Sequence, residues 1–377
     1  MSTMIITLTN ELKEKLTLLA KVAGQKSGNT YPDGVLIEQQ NLTAANATVF
    51  VKAVLGQEEL GLMPQIFDKP VVIPVKGIRA ILDSPTGEEI SLGLDGNIIE
   101  IKKKSKRGKI TVAALDNKSF PSFEGESSGS VDRLNIEEFT ICVSSVRHSI
   151  AEKSPKPVCN GLVIKAVNGE IYFESINGFT ASRCRRKYQT DSEFCIIVPR
   201  TCLDTVMDAV KKTDNVETLS VVRSKDGRHA VFAVGQGLFI QTRLIDGAPI
   251  NTESFFEPKA NSFTVQKDIL LGVLKSIQTI QEDIAAPVVL TVKESDKEIE
   301  VSYSGTTSKL TETITIDNVV GDGNEVKIGL NGLYLTETLK AITSERVKIS
   351  YVNSTTIVLL EDNLDNKHII VPVRLSK

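Results

Sequence analysis

The sequence holds three histidines, His148, His229 and His368, and five cysteines, Cys142, Cys159, Cys184, Cys195 and Cys202. No histidine pair has the short spacing that lets two ligands meet one metal ion, and no cysteine stands at a companion offset or in a C-x-x-C pair. The histidines therefore read as surface or satisfied core residues, and the odd, scattered cysteines as reduced cytosolic thiols. No G-x-S-x-G nucleophile turn and no Walker-type phosphate loop occurs. The glycines of "GDGNE" and "VGQGLF" fall at hairpin turns. A hydrolase or nuclease would need a clustered catalytic set, and the carboxylates instead lie in acidic, exposed stretches. The expectation is a protein that is not an enzyme and carries no cofactor and no metal.

The remaining chemistry is that of cations that could meet phosphate. They sit on helices, and the helices recur. "VVIPVKGIRAILDS", "CIIVPRTCLDTVMDAVKK" and "VKIGLNGLYLTETLKAI" each write an apolar strand running into a helix, at offsets of about 130 residues. An amphipathic helix precedes each of them. "NELKEKLTLLAKV" carries Leu12, Leu16 and Leu19, "EEFTICVSSVRHSI" carries Phe139, Val143 and Val146, and "KDILLGVLKSIQTI" carries Leu270, Leu274 and Ile277. The spacing i, i+4, i+7 makes one apolar stripe per helix. In the second helix of the middle copy, Leu203, Val206, Met207 and Val210 form the stripe. Opposite the stripes stand Lys13 and Lys21, Arg79, Arg147 and His148, Lys211 and Lys212, Lys275 and Lys340, diluted by Glu14 and Asp208. Such residues on one helix mean only a solvated face. The same bias on six helices suits a surface that meets phosphate without gripping it.

Between and after the helices, alternating segments punctuated by "DG" and "DN" predict antiparallel hairpins. Each repeat thus reads as helix, strands, helix, strands. The expected fold class is α+β, with three repeated domains, each placing two helices on antiparallel sheets. Boundaries fall at 1–128, 129–257 and 258–377, with "FPSFEGESSGSVDR" and "NTESFFEPKANS" as linkers. A length of 377 residues fits two or three domains, and 41% hydrophobic with 24% charged residues fits a folded globular chain. The net charge of −3 excludes a uniformly basic coat but not one basic face. "MSTMIITLTNELKEK" shows no leader pattern, and no apolar run approaches the ~20 residues that span a bilayer, so a cytoplasmic location without membrane partners is expected. Asn46 and Asn353 stand in N-x-T sequons that are chance matches without secretion.

In order along the chain, "SFPSF" (119–123), "NGLVIKAVNGEIYFESINGFTASRC" (160–184), "IIVPR" (196–200), "RLIDGAPI" (243–250), "IGLNGLYLTETLKAI" and the terminal "HIIVPVRL" resemble the bacterial DNA polymerase III beta subunit, the beta sliding clamp family. The resemblance covers essentially the whole chain and identifies it as a divergent member. It implies a ring-forming, head-to-tail homodimer with helices lining a hole that holds duplex DNA, bacterial and nucleoid-associated. Its implied partners are double-stranded DNA, a second copy of the chain, and polymerase and clamp-loader subunits that dock through short linear motifs. A clamp-fold interaction scaffold that no longer encircles DNA is the alternative, suggested by the altered stretch Phe179–Ala181.

The resemblance places DNA-facing cations at Lys13, Lys21, Lys26, Arg79, Arg147, Lys153, Lys211, Lys212, Lys275 and Lys340. Ring closure would set Ile110 and Val112 against Ile277 and Ile280. The basic run "KKKSKRGK" (102–109) has three readings: a solvated hairpin tip, a salt-sensitive contact to Glu298 and Glu300, or a nuclear-localisation or direct DNA-binding segment. The partner-peptide cleft would be formed by Cys159, Ile176, Gly178, Phe179, Ala181, Pro249, Phe255, Asn331, Tyr334, Thr355, Ile369, Val371, Pro372, Val373 and Arg374. Where the family commonly has Asp-Gly-His-Arg-Leu, this chain has Asn177, Gly178, Phe179, Thr180 and Ala181. The methionines often flanking the terminal proline are Val371 and Val373, which are stiffer.

Overall fold

The computed structural model describes residues 2–24, 31–61, 64–118, 120, 130–189, 193–211, 216–235, 237–284, 286–321 and 323–375. The first stretch runs β1 (Ser2–Thr7), α1 (Asn10–Ala23), β2 (Gly34–Glu38), β3 (Asn41–Ala45), β4 (Val49–Val54), the single turn α2 (Gln57–Leu60), β5 (Val71–Pro74), α3 (Val75–Leu82), β6 (Glu89–Asp95), β7 (Ile98–Lys103) and β8 (Lys109–Ala113). The second runs β9 (Ser130–Asn135), α4 (Ile136–Val146), β10 (Gly161–Val167), β11 (Glu170–Ile176), β12 (Thr180–Lys187), β13 (Phe194–Pro199), α5 (Arg200–Lys211), β14 (Thr218–Arg223), β15 (His229–Val234) and β16 (Leu238–Arg243). The third runs β17 (Asn261–Gln266), α6 (Lys267–Ile280), β18 (Pro287–Lys293), β19 (Glu298–Ser304), β20 (Lys309–Thr315), β21 (Asp317–Val320), β22 (Val326–Asn331), α7 (Gly332–Ala341), β23 (Arg346–Tyr351), β24 (Val358–Glu361) and β25 (Asn366–Ile370). Each stretch repeats the expected order of helix, strands, helix, strands.

Local chemistry sets the strand-to-helix corners. Pro74 ends β5 at φ −60° and caps α3, and Pro199 ends β13 directly before α5. A proline fixes a φ that a helix start can use and lacks the N–H that would be orphaned there. The third copy lacks the proline and uses Asn331, whose Oδ1 accepts from the backbone N–H groups of Leu333 (2.9 Å) and Tyr334 (3.2 Å). Thr9 does the same for α1, accepting from Leu12 N at 3.0 Å.

By compactness the chain divides into two units, residues 1–140 with 198–245 and residues 141–197 with 246–377. The first unit holds a four-stranded sheet, β1-β6-β7-β8, and an eight-stranded sheet, β5-β2-β3-β4-β16-β15-β14-β9. There α1 packs on α3 and on β2–β4, while α5 packs on β15 and β16. Leu12, Leu16, Leu19, Leu203 and Val206 are all within 2% of full burial, as the stripes predict. The second unit holds a nine-stranded sheet, β13-β10-β11-β12-β25-β24-β23-β17-β21, and a four-stranded sheet, β20-β19-β18-β22. Its core gathers Leu270, Leu274 and Ile277 of α6 with Leu335 and Leu339 of α7, Tyr303 and Tyr351. Each such side chain contributes about 2 kcal/mol relative to exposure. Strands β9 and β14–β16 of the middle stretch join the first unit's sheet, and β10–β12 belong to the second's. The expected boundary at 128/129 and most of the first linker lie outside the described residues.

Candidate functional site

Two sets of residues could meet a partner: cations on the helices and an apolar surface in the second unit. In the first unit, Lys21, Arg79 and Lys211 are exposed and Lys13 is half-buried. Lys21 is ion-paired with Asp208 of α5, which ties α1 to α5. In the second unit, Arg147, Lys153, Lys275 and Lys340 are exposed, and Lys340 pairs with Glu337 at 3.0 Å. Exposed pairs of this kind are worth little, so both lysines can exchange a carboxylate for another anion at small cost. Lys26 and Lys212 lie outside the described residues. His148, expected among the helix-face cations, instead turns inward: its Nε2 lies 3.2 Å from both Ser182 Oγ and Thr338 Oγ1.

The apolar surface starts from a tight turn. Asn177 Oδ1 accepts from Phe179 N (2.9 Å) and Thr180 N (2.8 Å), and Gly178 between them has φ 95°, the left-handed region that glycine enters without strain. The turn presents Phe179, 57% exposed, which stacks on Tyr334 of α7 with ring centroids 5.7 Å apart and planes 19° from parallel. Val371 N donates to Phe179 O at 2.9 Å, and Val373 N donates to Gly329 O at 2.8 Å, so the terminal segment passes from the β25 side to β22. A Cβ on Gly329 would stand 2.8 Å from Val373 O and 2.7 Å from Leu375, so only glycine admits that crossing. Below lies a small core of Ala181, Phe256, Leu359 and Ile369, with Ile176, Phe255 and Ile357 packed around it. Leu333 and Val371 add exposed apolar surface.

Of the cleft residues expected from the sequence, Ile176, Ala181, Phe255 and Ile369 thus form a floor. Phe179, Tyr334 and Val371, with Gly178 and Asn331 as supports, form a rim, and Pro372, Val373 and Arg374 follow on the terminal segment. Cys159, Pro249 and Thr355 stand apart from these contacts; Cys159 is buried and Thr355 bonds Asn353. Leu333, exposed beside Tyr334, and Gly329, which accepts from Val373 N, escaped the sequence reading although both lie within the motif that carried Asn331 and Tyr334.

Behind the floor, Arg183 bridges Glu174 (2.7 Å) and Glu253 (3.0 Å) and lies over the Phe256 ring at 4.6 Å. Its hydrogen bond holds the Glu253 carboxyl below the usual range. Next to it on β12, Ser182 sits opposite His368 of β25, with Ser182 Oγ 3.0 Å from His368 Nδ1 and 2.8 Å from Ser149 Oγ. The two imidazole centroids are 5.4 Å apart. Burial pushes His148 down to about 4, partly offset by Glu337 and the Ser145 backbone, and pushes His368 well below its ordinary value, with His148 acting in the same direction.

Two of the interface expectations need correction. Ile277 is 1% exposed within the core, so it cannot face a second chain, and Val112 is buried against Gly77 of α3. Ile110, 40% exposed, and the half-buried Ile280 remain on the surface. Glu298 and Glu300 lie on β19, an inner strand, and Glu300 pairs with Lys293 at 3.2 Å; the outer strand on that side of the sheet is β20.

Burial pushes the Cys202 thiol up to about 12 and also raises Cys195, whereas a hydrogen bond with Cys142 lowers the buried Cys184. None of the five cysteines forms a disulfide. Among the described residues no group of three His, Cys, Asp or Glu side chains could hold a metal ion, and no helix is long and apolar enough to cross a membrane.

Residues 256–374 match the family model described as DNA polymerase III beta subunit, C-terminal domain. Over 377 aligned residues the chain is 24% identical to the beta sliding clamp of Mycoplasma capricolum, covering 97% of each. It is 22% identical to that of Treponema pallidum, covering 96% of this chain and 97% of the relative. The DNA polymerase III beta subunit of Thermotoga maritima superposes with a TM-score of 0.86 at 18% identity, covering 99% of this chain and all of that one. The Bacillus subtilis DNA polymerase sliding clamp superposes with a TM-score of 0.86 at 16% identity, covering 100% of both. Taken together, the family match, the full-length relatives and the fold support a divergent beta clamp.

Proposed function

We propose that this chain is a DNA sliding clamp, a processivity factor that encircles duplex DNA and tethers polymerases and other replication or repair proteins. The observation that carries the reading is the strand-into-helix unit written three times along the whole length, in the order and extent of the beta clamps it resembles. Three such domains, at 1–128, 129–257 and 258–377, make half a ring, and two chains in head-to-tail contact close it with one kind of interface used twice. The helix cations, among them Lys13, Lys21, Arg79, Arg147, Lys153, Lys211, Lys275 and Lys340, face the duplex through mobile counterions and water, so the ring slides. The Phe179–Tyr334 rim and its apolar floor take short linear motifs. The protein performs no chemistry.

Retention on DNA tests the proposal. Loaded protein should remain on a nicked circular plasmid through gel filtration and run off once the plasmid is linearised. Equal retention on both forms, or on neither when loader is present, refutes encirclement. A monomer at micromolar concentration would refute the ring.

A further inference from the structure

We propose that Cys142 of α4 and Cys184 of β12 are a redox-sensitive pair, which a small-molecule disulfide closes into an intrachain bond that staples α4 to β12. No spacing rule joins the two residues; the fold does. Ser175 Oγ of β11 donates to Val146 O at 2.6 Å, and Ser182 Oγ of β12 lies 2.8 Å from Ser149 Oγ and 3.2 Å from His148 Nε2. The end of α4 and the turn after it therefore run over β11 and β12. On β12, Cys184 stands two residues from Ser182 and so shares its face of the sheet. On α4, Cys142 and Ser145 are three residues apart on one side of the helix, and both hydrogen-bond Cys184. Cys142 and Cys184 are each 0% exposed, and both belong to the second unit.

A disulfide requires its two Cβ atoms about 3.5–4.5 Å apart and an S–S bond of about 2.05 Å. Thiols already bonded to each other begin from contact. Cys184 is the attacking group. The bond from Cys142 first, then the Arg186 guanidinium and Ser145, hold its thiol below the usual range, against burial and Asp362. Arg186 directs its own hydrogen bonds to the uncharged acceptors Arg185 O, Leu364 O and Asn366 Oδ1, so its charge stays beside the thiolate. The Cys184 thiolate attacks one sulfur of the oxidant and expels a thiolate, which takes up the proton that Cys184 released. Cys142, deprotonated in turn, attacks Cys184 Sγ in the mixed disulfide and expels the second thiolate. The protein thiols lose two electrons and two protons, and the small disulfide gains them as two thiols. The new bond closes a loop of about 40 residues and so constrains the unfolded chain. It also fixes β12, which carries Ala181 of the apolar floor.

The test equilibrates the full-length protein in mixtures of reduced and oxidised glutathione. One set starts from folded protein and one is refolded from denaturant, so that burial does not decide access. After acid quenching, the remaining thiols are alkylated in denaturant and the peptides are read by mass spectrometry. The expected result is a peptide pair joined through Cys142 and Cys184, with Cys159, Cys195 and Cys202 alkylated. Hydrogen exchange across segment 141–197 should then slow by on the order of 100-fold. Cys142→Ser should abolish both the joined pair and the added protection, leaving Cys184 alkylated or carrying one glutathione. Cys142 and Cys184 both alkylated after refolding at the most oxidising ratio overturns the proposal. So does glutathione held separately on each, or a pair joined through another cysteine. A joined pair without slower exchange overturns the staple.

Discussion

Lowering the pH from 7 to 5 should destabilise the second unit through His148 and His368. Both imidazoles are neutral in the folded state near neutrality, because burial has lowered their affinity for protons. In the unfolded chain both return to an ordinary value near 6.5. As pH falls below that value the unfolded state binds protons that the folded state refuses, so stability is present above about 6.5 and is lost progressively toward the folded pKa. With His148 at about 4, the loss from this residue alone is about 2 kcal/mol at pH 5, and His368 adds in the same direction. Charging both rings is costlier still: at 5.4 Å the repulsion is about 3 kcal/mol for an effective dielectric constant near 20. The groups that face His148 temper this without removing it: Glu337 and the Ser145 backbone favour its charged form, and the Ser182 and Thr338 hydroxyls serve either form. The assay is imidazole proton NMR, with hydrogen exchange of segments 141–197 and 246–377 at each pH. Protection should fall by about twenty-fold between pH 7 and 5 on account of His148. His368→Gln should flatten the profile whatever it does to stability at pH 7. A His148 ring that titrates near 6.5, or protection that does not change, would refute the reasoning.

Phe179→Ala should weaken binding of a polymerase-derived linear motif by about tenfold, the loss of an aromatic pair of about 1 kcal/mol plus its contact area, with little effect on melting; isothermal calorimetry decides, and unchanged affinity puts the site elsewhere. Gly329→Ala forces a Cβ against Val373 O, so the terminal segment should lift from β22 at a cost of about 1–3 kcal/mol, seen as faster carboxypeptidase trimming. Arg183→Gln leaves Glu174 and Glu253 without their cation and should cost about 3 kcal/mol by denaturant titration, since side chains of Arg183 and Glu174 are only 11% and 14% exposed. Glu282 is clasped by Thr306 N, Thr307 N and the hydroxyls of Thr307 and Ser308, and these bonds, Thr307's foremost, hold its carboxyl at about 2. Glu282→Ala should therefore speed exchange of the Thr306 and Thr307 amides above pH 4.5, and the difference from the parent should vanish as pH falls toward 2.

Much of the fold was legible because its signals are local. Leu12, Leu16 and Leu19, and their counterparts in the other copies, lie one helical turn apart, and all are buried. Strand alternation with "DG" and "DN" turns likewise gave hairpins where β6–β7 and β14–β15 stand. Pairing order is not local, so the sequence offered Glu298 and Glu300 as partners for the basic run 102–109 without showing where their strand lies in its sheet. Both β19 and β20 alternate, and nothing within either segment says which carries the neighbour; the register Glu298↔Thr315 puts β20 outside. Ile277 shows a second kind of error: one stripe was assigned two jobs. It lies seven residues past Leu270, two turns along the same face, so the burial that holds α6 to its sheet removes it from any interface.

The polar network at Ser149, Ser182, Thr338, His148 and His368 illustrates what a motif search misses. Its members lie far apart in sequence, so no spacing rule joins them. The available signal was negative: a histidine in "KHIIVPV" and a serine in "FTASRC" stand at positions where strand alternation points inward. A buried polar side chain must find a partner or cost about 1–3 kcal/mol, so two of them on core-facing positions imply each other. The register then brings Ser182 opposite His368, on the same two strands whose next outward steps carry Ala181 and Ile369 of the cleft floor. A perturbation that charges the histidines therefore acts on the strands beneath the apolar surface around Phe179, and if that surface takes linear motifs as proposed, motif affinity should fall with pH in step with the loss of protection across segments 141–197 and 246–377.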